Sequence, residues 1–349
     1  MKFIDLFAGI GGIRMAFERV GEECVFSSEW NRFAQQTYAA NFGETPHGDI
    51  RSIAPSDIPA HGILCGGFPC QPFSIAGVSK KISMGRKHGF EDKEQGNLFF
   101  EILRIAEFHK PQLLFLENVK NLISHDKGRT LQTVQMLLTR AGYHVSWQLY
   151  DAAAFVPQHR ERIIIVGCRT HTIAMPPKPI HEMIPLKSIL QSRVDPRYTL
   201  SDKLWTYLQH HAAKHQERGN GFGFGLADRN GFTRTLSARY DKDGSEILIP
   251  QSGHNPRRLS PRECARLMGF PESFIIPVSD TQAYRQFGNS VCVPMMEYVA
   301  RGVVEQLTRK QPDSCFNCNG SSIPMPHWSV LYGKAVTLSR RFDLSQIRH

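Results

Sequence analysis

The sequence predicts an α/β fold: a nucleotide-type parallel-strand domain, followed by a smaller domain of different character. Three observations carry this. Lys2–Phe7 reads as a strand, Ala8–Gly12 as a tight glycine-rich turn, and Ile13–Val20 as a helix with apolar residues at Ile13, Ala16, Phe17 and Val20. Short apolar runs and helical stretches then alternate as far as Ala174. From Met175-Pro176-Pro177-Lys178-Pro179 that rhythm stops, and Tyr198–Ser260 is rich in Arg, Lys, Gly, Asn and His.

Composition narrows the partners. The 349 residues carry a formal net charge of +10, which suits a polyanion but does not separate nucleic acid from a membrane surface. Hydrophobic content of 41% and charged content of 21% describe an ordinary globular chain, and no apolar run reaches the roughly 18 residues of a span. The N-terminus lacks a secretory layout, because Asp5 and the glycines interrupt its apolar stretch. Eight cysteines without framework spacing suit a reducing, cytoplasmic setting.

The first unit is suggestive only, since its glycines fall short of the full Gly-x-Gly-x-x-Gly fingerprint. A second strand, Cys24–Ser28, ends at Glu29-Trp30, where an acid can accept ribose hydroxyls and an indole can wall a ligand. Helix Arg32–Asn41 follows, then a third short strand leading to Asp49 and Ile50. Gly62–Cys65 reads as a buried strand running into Gly66-Gly67-Phe68-Pro69-Cys70-Gln71-Pro72-Phe73-Ser74. There the glycine pair frees the backbone, Pro69 stiffens it, and a thiol stands at the loop tip. Ile75–Glu94 is polar, basic and glycine-bearing, which beside a nucleophile reads as a lid over a phosphate backbone. Helix Asn97–Phe108 precedes the buried strand Leu113–Leu116, which ends at Glu117. A desolvated carboxyl there has a raised pKa and suits a proton donor. Helix Thr130–Ala141, strand Tyr143–Tyr150, the segment Pro157–Arg162, strand Ile163–Gly167 and a late helix from Met295 complete the series.

Taken together, Phe3-Ile4-Asp5-Leu6-Phe7-Ala8-Gly9-Ile10-Gly11-Gly12, Gly67-Phe68-Pro69-Cys70-Gln71, Glu117-Asn118-Val119, Gln158-x-Arg160-x-Arg162 and Gln286–Val291 resemble the signature of the DNA cytosine-C5 methyltransferases. The resemblance spans residues 1 to 308. It implies a Rossmann-like S-adenosylmethionine-dependent methyltransferase fold with a mixed, mostly parallel sheet. Residues 1–175 and 280–310 would form the catalytic domain, 176–260 a target-recognition domain and 261–279 its hinge and buttress. Cys70 is then the nucleophile, Glu117 the proton donor, Arg162 the holder of the target base and Arg160 a positioning residue. S-adenosyl-L-methionine would be held by Phe7, Gly9, Gly11, Glu29, Trp30, Asp49, Ile50, Pro69, Leu98, Asn289 and Ser290. Double-stranded DNA would meet Gln71, Ser74, Lys80, Lys81, Arg86, Arg234, Arg239 and Arg257, with the target cytosine flipped out of the stack.

Within the family, Gly219–Gly223 and Thr233–Tyr240 are similar to Dcm-like recognition segments, which implies a site of the CC(N/W)GG or CCGG type. A monomer is expected, with or without a cognate restriction endonuclease. A tRNA cytosine-5 methyltransferase shares much of the signature, but the substantial recognition domain favours duplex DNA. A non-catalytic binder would not need Cys70, Glu117 and Arg162 together, and an NAD-dependent oxidoreductase has no use for Pro69-Cys70. Beyond Thr308 the resemblance ends. Cys315 and Cys318 form one Cys-x-x-Cys without a second pair, so no metal is expected. A chain ending near Lys310 should keep methylation activity within a few-fold; loss of activity, with a zinc requirement in the full chain, would show that the tail contributes.

Overall fold

Period-two alternation in the first strand lays out the two faces of the sheet. The computed structural model describes residues 1–68, 98–180, 183–219, 223–242 and 244–308. In it, β1 (Lys2–Leu6) turns Phe3 to one apolar layer and Ile4 and Leu6 to the other. Running parallel in register are β2 (Glu23–Ser28) and β3 (Ile63–Gly67) on either side of β1, and β4 (Leu113–Val119) beside β3. Next in the chain come β5 (His144–Asp151) and β6 (Glu161–Cys168); β6 lies antiparallel between β4 and β5. The order is therefore β2-β1-β3-β4-β6-β5, a mostly parallel sheet with one reversed strand. Such sheets are covered on both faces, and β6 shows it: Ile164 and Val166 enter one layer, Ile163 and Ile165 the other.

Helices α1 (Gly12–Arg19), α2 (Arg32–Phe42), α3 (Leu98–His109) and α4 (Arg129–Arg140) fill the connections. α1 buries Ile13, Ala16 and Phe17, while α3 and α4 bury Phe99, Ile102, Val134 and Leu138 in the opposite layer. β1 lies between β2 and β3, so the chain leaves it first to one side and then to the other. A crevice opens at the carboxyl ends of strands where a sheet reverses in this way.

The later part of the chain builds a second core. It contains α5 (Asp202–Glu217), the hairpin β7 (Leu248–Gln251) and β8 (His254–Arg258), α6 (Pro261–Leu267) and α7 (Asp280–Asn289). Tyr240, Leu259, Phe274, Tyr284 and Phe287 pack there together with Ile10 and Ala34 from the first part. α8 (Val293–Thr308) then returns to the start, placing Val299 and Val303 in the layer of Phe3 and Phe17.

Several expectations are corrected. No third strand precedes Asp49: His47 makes a single bridge to Ser28, and Asp49 caps a 3-10 turn by accepting the Arg51 N–H at 3.0 Å. β4 does not end at Glu117 but carries it in register with Ile164, and Arg162 lies inside β6. α5 escaped the sequence pattern because Leu208 is its one fully buried residue, so its apolar stripe is faint. Arg257, expected on DNA, sits in β8 with a side chain 8% exposed, and its two terminal nitrogens reach the wholly buried Glu263 at 2.8 and 2.9 Å.

Glu263 also closes a capping box with Ser260 at the head of α6. Removing one partner of a buried pair strands the other charge, at a cost of roughly 3–5 kcal/mol. Glu263→Gln should therefore lower Tm by about 10 °C, and Arg257→Met with Glu263→Leu should recover much of it. Thermal unfolding of the parent and the two variants checks this; a silent Glu263→Gln would mean the pair carries no such charge.

Candidate active site

The carboxyl ends of β1 to β4 surround a cavity of about 750 Å³. Its first wall follows β1. Phe7 takes a left-handed backbone conformation (φ 58°), strain that a non-glycine residue tolerates where the surroundings fix it, and its ring lines the cavity. Gly9, also left-handed, donates its N–H to Glu29 Oε2 at 2.9 Å, and Asn31 donates to Oε1 at 2.7 Å. Trp30 stands beside Glu29, 72% exposed. Asp5, at the foot of this wall, is fully buried, and neither of its carboxyl oxygens has a hydrogen-bond partner among the described residues.

The opposite wall comes from β3, β4 and β6. Register pairs Gly67 with Glu117, and a Cβ at Gly67 would lie 3.2 Å from Glu117 Oε2. Gly66 and Gly67 are thus strand residues of ordinary φ, not loop hinges: what Gly67 supplies is room for a carboxyl. Asn118, buried, donates its side-chain amide to the Phe68 carbonyl at 2.8 Å and so fixes the exit of β3. Arg162 Nε meets Glu117 Oε1 at 2.9 Å. Burial pushes the Glu117 carboxyl above its ordinary pKa, against the opposing pull of Arg162 and Arg160.

Arg160 is almost wholly buried. It donates to the carbonyls of Leu236 at 2.8 Å, Gly288 at 2.9 Å and Ser290 at 2.5 Å. Desolvation, with the neighbouring Arg162, pushes its guanidinium down to about 9, which leaves it charged at neutral pH. Around it the segment from Thr233 is stitched to the start of β6. Thr233 donates to the Pro157 carbonyl at 2.9 Å, His159 to the Thr233 carbonyl at 3.0 Å, and Leu236 to Gln158 Oε1 at 2.8 Å.

Of the residues singled out in the sequence, Phe7, Gly9, Glu29, Trp30, Leu98, Glu117, Arg160, Arg162, Asn289 and Ser290 line this one cavity. Gly11 instead caps α1, its missing Cβ giving space to the Phe42 ring. Asp49 is taken up by Arg51, and Ile50 is buried against the sheet; neither lines the cavity. Arg234 and Arg239 are exposed. Pro69, Cys70, Gln71, Ser74, Lys80, Lys81 and Arg86 lie outside the described residues, as do Cys315 and Cys318. Gln282 and Arg285 were not singled out, and Asp5 and Gln158 entered only within motif strings, without a role. Asp5 stands inside the first motif string, and only its burial marks it.

Three acids in these walls, Asp5, Glu29 and Glu117, all have pKa values raised chiefly by burial. Aromatic Phe7 and Trp30, with the acid Glu29 at the end of β2, make a wall that fits an adenosyl ligand such as S-adenosylmethionine, while Arg160, Arg162 and Arg285 line the same cavity.

Comparison with solved structures gives the class. The described fold matches the Dnmt2 methyltransferase of S. pombe with a TM-score of 0.70 at 19% identity, over 88% of this chain and 100% of that one. It is the Rossmann-like fold of S-adenosylmethionine-dependent methyltransferases. A family model described as C-5 cytosine-specific DNA methylase matches residues 1–305. The chain is 51% identical to the type II methyltransferase M.DsaV of Dactylococcopsis salina, over 90% of this chain and 89% of the relative. It is 46% identical to the DNA-cytosine methyltransferase of Escherichia coli K12, over 86% and 76%. The chain belongs to the C-5 cytosine-specific DNA methylase family and is a DNA (cytosine-5-)-methyltransferase.

Asp5 gives a test of the cavity electrostatics. Its pKa is pushed up from 3.8 to about 7, by burial first. A carboxyl raised on folding helps stability fully below its unfolded pKa, and that help is lost as pH rises through the folded value. The swing is about 4 kcal/mol between pH 4 and 7. In the ligand-free protein, Asp5→Asn should therefore raise Tm at pH 8, and the gain should shrink toward pH 4. A pH-independent difference between the two proteins would rule out a buried neutral Asp5.

Proposed function

We propose that this enzyme methylates C5 of a cytosine flipped out of duplex DNA, through a covalent bond between Cys70 and C6 of the base. One observation supports this most directly: β3 delivers Gly67 and Phe68, the two residues before Pro69-Cys70, beside a buried Glu117 paired with Arg162. C5 of cytosine is a weak nucleophile. Addition of the Cys70 thiolate to C6, with Glu117 giving its proton to N3, makes the ring an enamine nucleophilic at C5. When bound, S-adenosylmethionine supplies the electrophilic methyl group. Loss of the C5 proton to solvent, return of the N3 proton to Glu117 and expulsion of the Cys70 thiolate restore the ring. Arg162 keeps Glu117 oriented and faces the base, while Arg160 holds the surrounding carbonyls. Neither C5 nor C6 is accessible inside a duplex, so the base must leave the stack.

Residues 176–260 are assigned to target recognition, with the exposed Arg234 and Arg239 as candidate readers of guanine. The Dcm-like resemblance favours a CC(N/W)GG or CCGG site. The type II methyltransferase among the relatives supports a place in restriction-modification, with a cognate endonuclease, or as an orphan methylase.

Cys70→Ser should lose methyl transfer while binding DNA and cofactor, and the parent enzyme should trap on 5-fluorocytosine duplexes. The described alternatives are poor nucleophiles: Cys65 is fully buried, and burial pushes the Cys292 thiol up to about 12. Peptide mapping of the adduct to Cys65 or Cys292 would refute the mechanism. Glu117→Gln should lower kcat by about 10²- to 10⁴-fold with DNA affinity kept. Bisulfite sequencing of host DNA decides the site, since modification confined to G-C-G-C or G-G-C-C would exclude it.

A further inference from the structure

We propose that Arg285 is a DNA-phosphate contact at the mouth of the cavity, aimed by the buried carboxylate of Asp241. The proposal presupposes the action on duplex DNA argued for above. Arg285 lies on α7 and lines the cavity near Gln282. Its Nε and Nη2 both reach Asp241 Oδ2, at 3.0 and 2.9 Å. The two partners differ sharply in exposure: the Arg285 side chain is 45% exposed and that of Asp241 only 4%. The carboxylate is thus a fixed anchor, and it engages one edge of the guanidinium. Among the described residues, the remaining nitrogen, Nη1, has no hydrogen-bond partner.

The anchor is itself held in place. Gly288, one turn along α7, packs so tightly that a Cβ there would lie 2.2 Å from the Ser237 carbonyl oxygen. The Leu236 carbonyl is held by Arg160, and the Ser237 hydroxyl donates to Glu246 Oε1 at 2.6 Å. Both supports of Arg285, the helix and the turn that carries Asp241, are therefore tied to the strand that carries Arg162. A guanidinium fixed in this way keeps a set distance from the catalytic pair, which is what registering a backbone phosphate requires.

Charge supports the same ligand. Arg239 and Lys242 are exposed on the Asp241 turn, with Lys242 Nζ 3.9 Å from Asp241 Oδ2. With Arg285 these cations outnumber the one buried carboxylate of the turn, which leaves an excess of positive charge beside it. Stability is a weak reason for the pair, since half-exposed ion pairs contribute little to folding.

The test uses the full-length protein, its Arg285→Gln and Arg285→Lys variants, and two duplexes, one methylatable and one of scrambled sequence. Binding is followed by fluorescence anisotropy across a range of salt. Arg285→Gln should weaken both duplexes alike, by about tenfold, and reduce the salt slope by about 0.9. Arg285→Lys should recover most of the loss, because a phosphate accepts a point charge. KM for DNA should rise with kcat preserved. Four results would overturn the proposal: an unchanged slope, a loss confined to the methylatable duplex (a base reader), weaker S-adenosylmethionine binding (a cofactor-carboxylate contact), or a fall in Tm with unchanged DNA affinity (a cross-link only). Failure of the parent to bind either duplex would instead overturn the DNA activity beneath it.

Discussion

The guanidinium of Arg160 is the constraint from which the site takes its shape. A charge moved from water into a protein interior is tolerated only where polar atoms replace its hydration. Here the replacements are three backbone carbonyls, from Leu236, Gly288 and Ser290. Those residues stand far along the chain from Arg160: Leu236 in the segment after Thr233, Gly288 in the last turn of α7 and Ser290 just past it. The Arg160 Nε is buried with no hydrogen-bond partner among the described residues, so displacing a carbonyl would strip a shell that has none to spare. Arg162, which pairs with Glu117 of β4, stands two residues further along, inside β6. The segment after Thr233, the end of α7 and the start of β6 therefore meet at one side chain.

The same crowding governs the acid. Burial raises the pKa of Glu117, and Arg162 and then Arg160 oppose that shift. In the proposed mechanism, where Glu117 gives a proton to the base and later recovers it, a carboxyl raised by burial suits the role of acid. An exposed carboxyl would already have lost its proton at neutral pH. Arg162 adds geometry to the charge balance, since its Nε bond at 2.9 Å points the carboxyl into the cavity. The two arginines of the Gln-x-Arg-x-Arg string thus divide the work: one fixes backbone, the other fixes the acid.

The sheet was legible in the sequence because its signal is local. Apolar runs such as Leu113–Leu116 and Ile163–Val166 are buried on both faces and read as strands without help from their neighbours. The cavity residues were legible through motif strings. What stayed hidden depended on contacts distant in sequence or on weak patterns. Arg257 looks like any basic surface residue until Glu263, in the next element, is seen to enclose it. Arg285 and Asp241 sit 44 residues apart, and neither belongs to a recognisable string. The third strand failed for the opposite reason: Asp49 satisfies its own local backbone, which competes with strand pairing and ends the extended run at His47.

Gly67 shows most clearly how one residue type carries two different meanings. In a sequence, Gly66-Gly67 before Pro69-Cys70 suggests a backbone that needs unusual dihedral angles. Both glycines prove to be paired in β3, opposite Leu116 and Glu117, and neither has positive φ. The need is spatial. Any Cβ at Gly67 would enter the space beside Glu117 Oε2, at a contact tighter than van der Waals packing accepts without a shift. The carboxyl would then have to give way by a few tenths of an ångström. The strand could have ended earlier and left a true loop there, but Asn118 holds the Phe68 carbonyl and keeps the exit of β3 alongside β4. Strand pairing, an absent side chain and one amide hydrogen bond together set where the chain enters the segment that carries the thiol. That entry lies beside the acid because the ladder between β3 and β4 leaves it no other course.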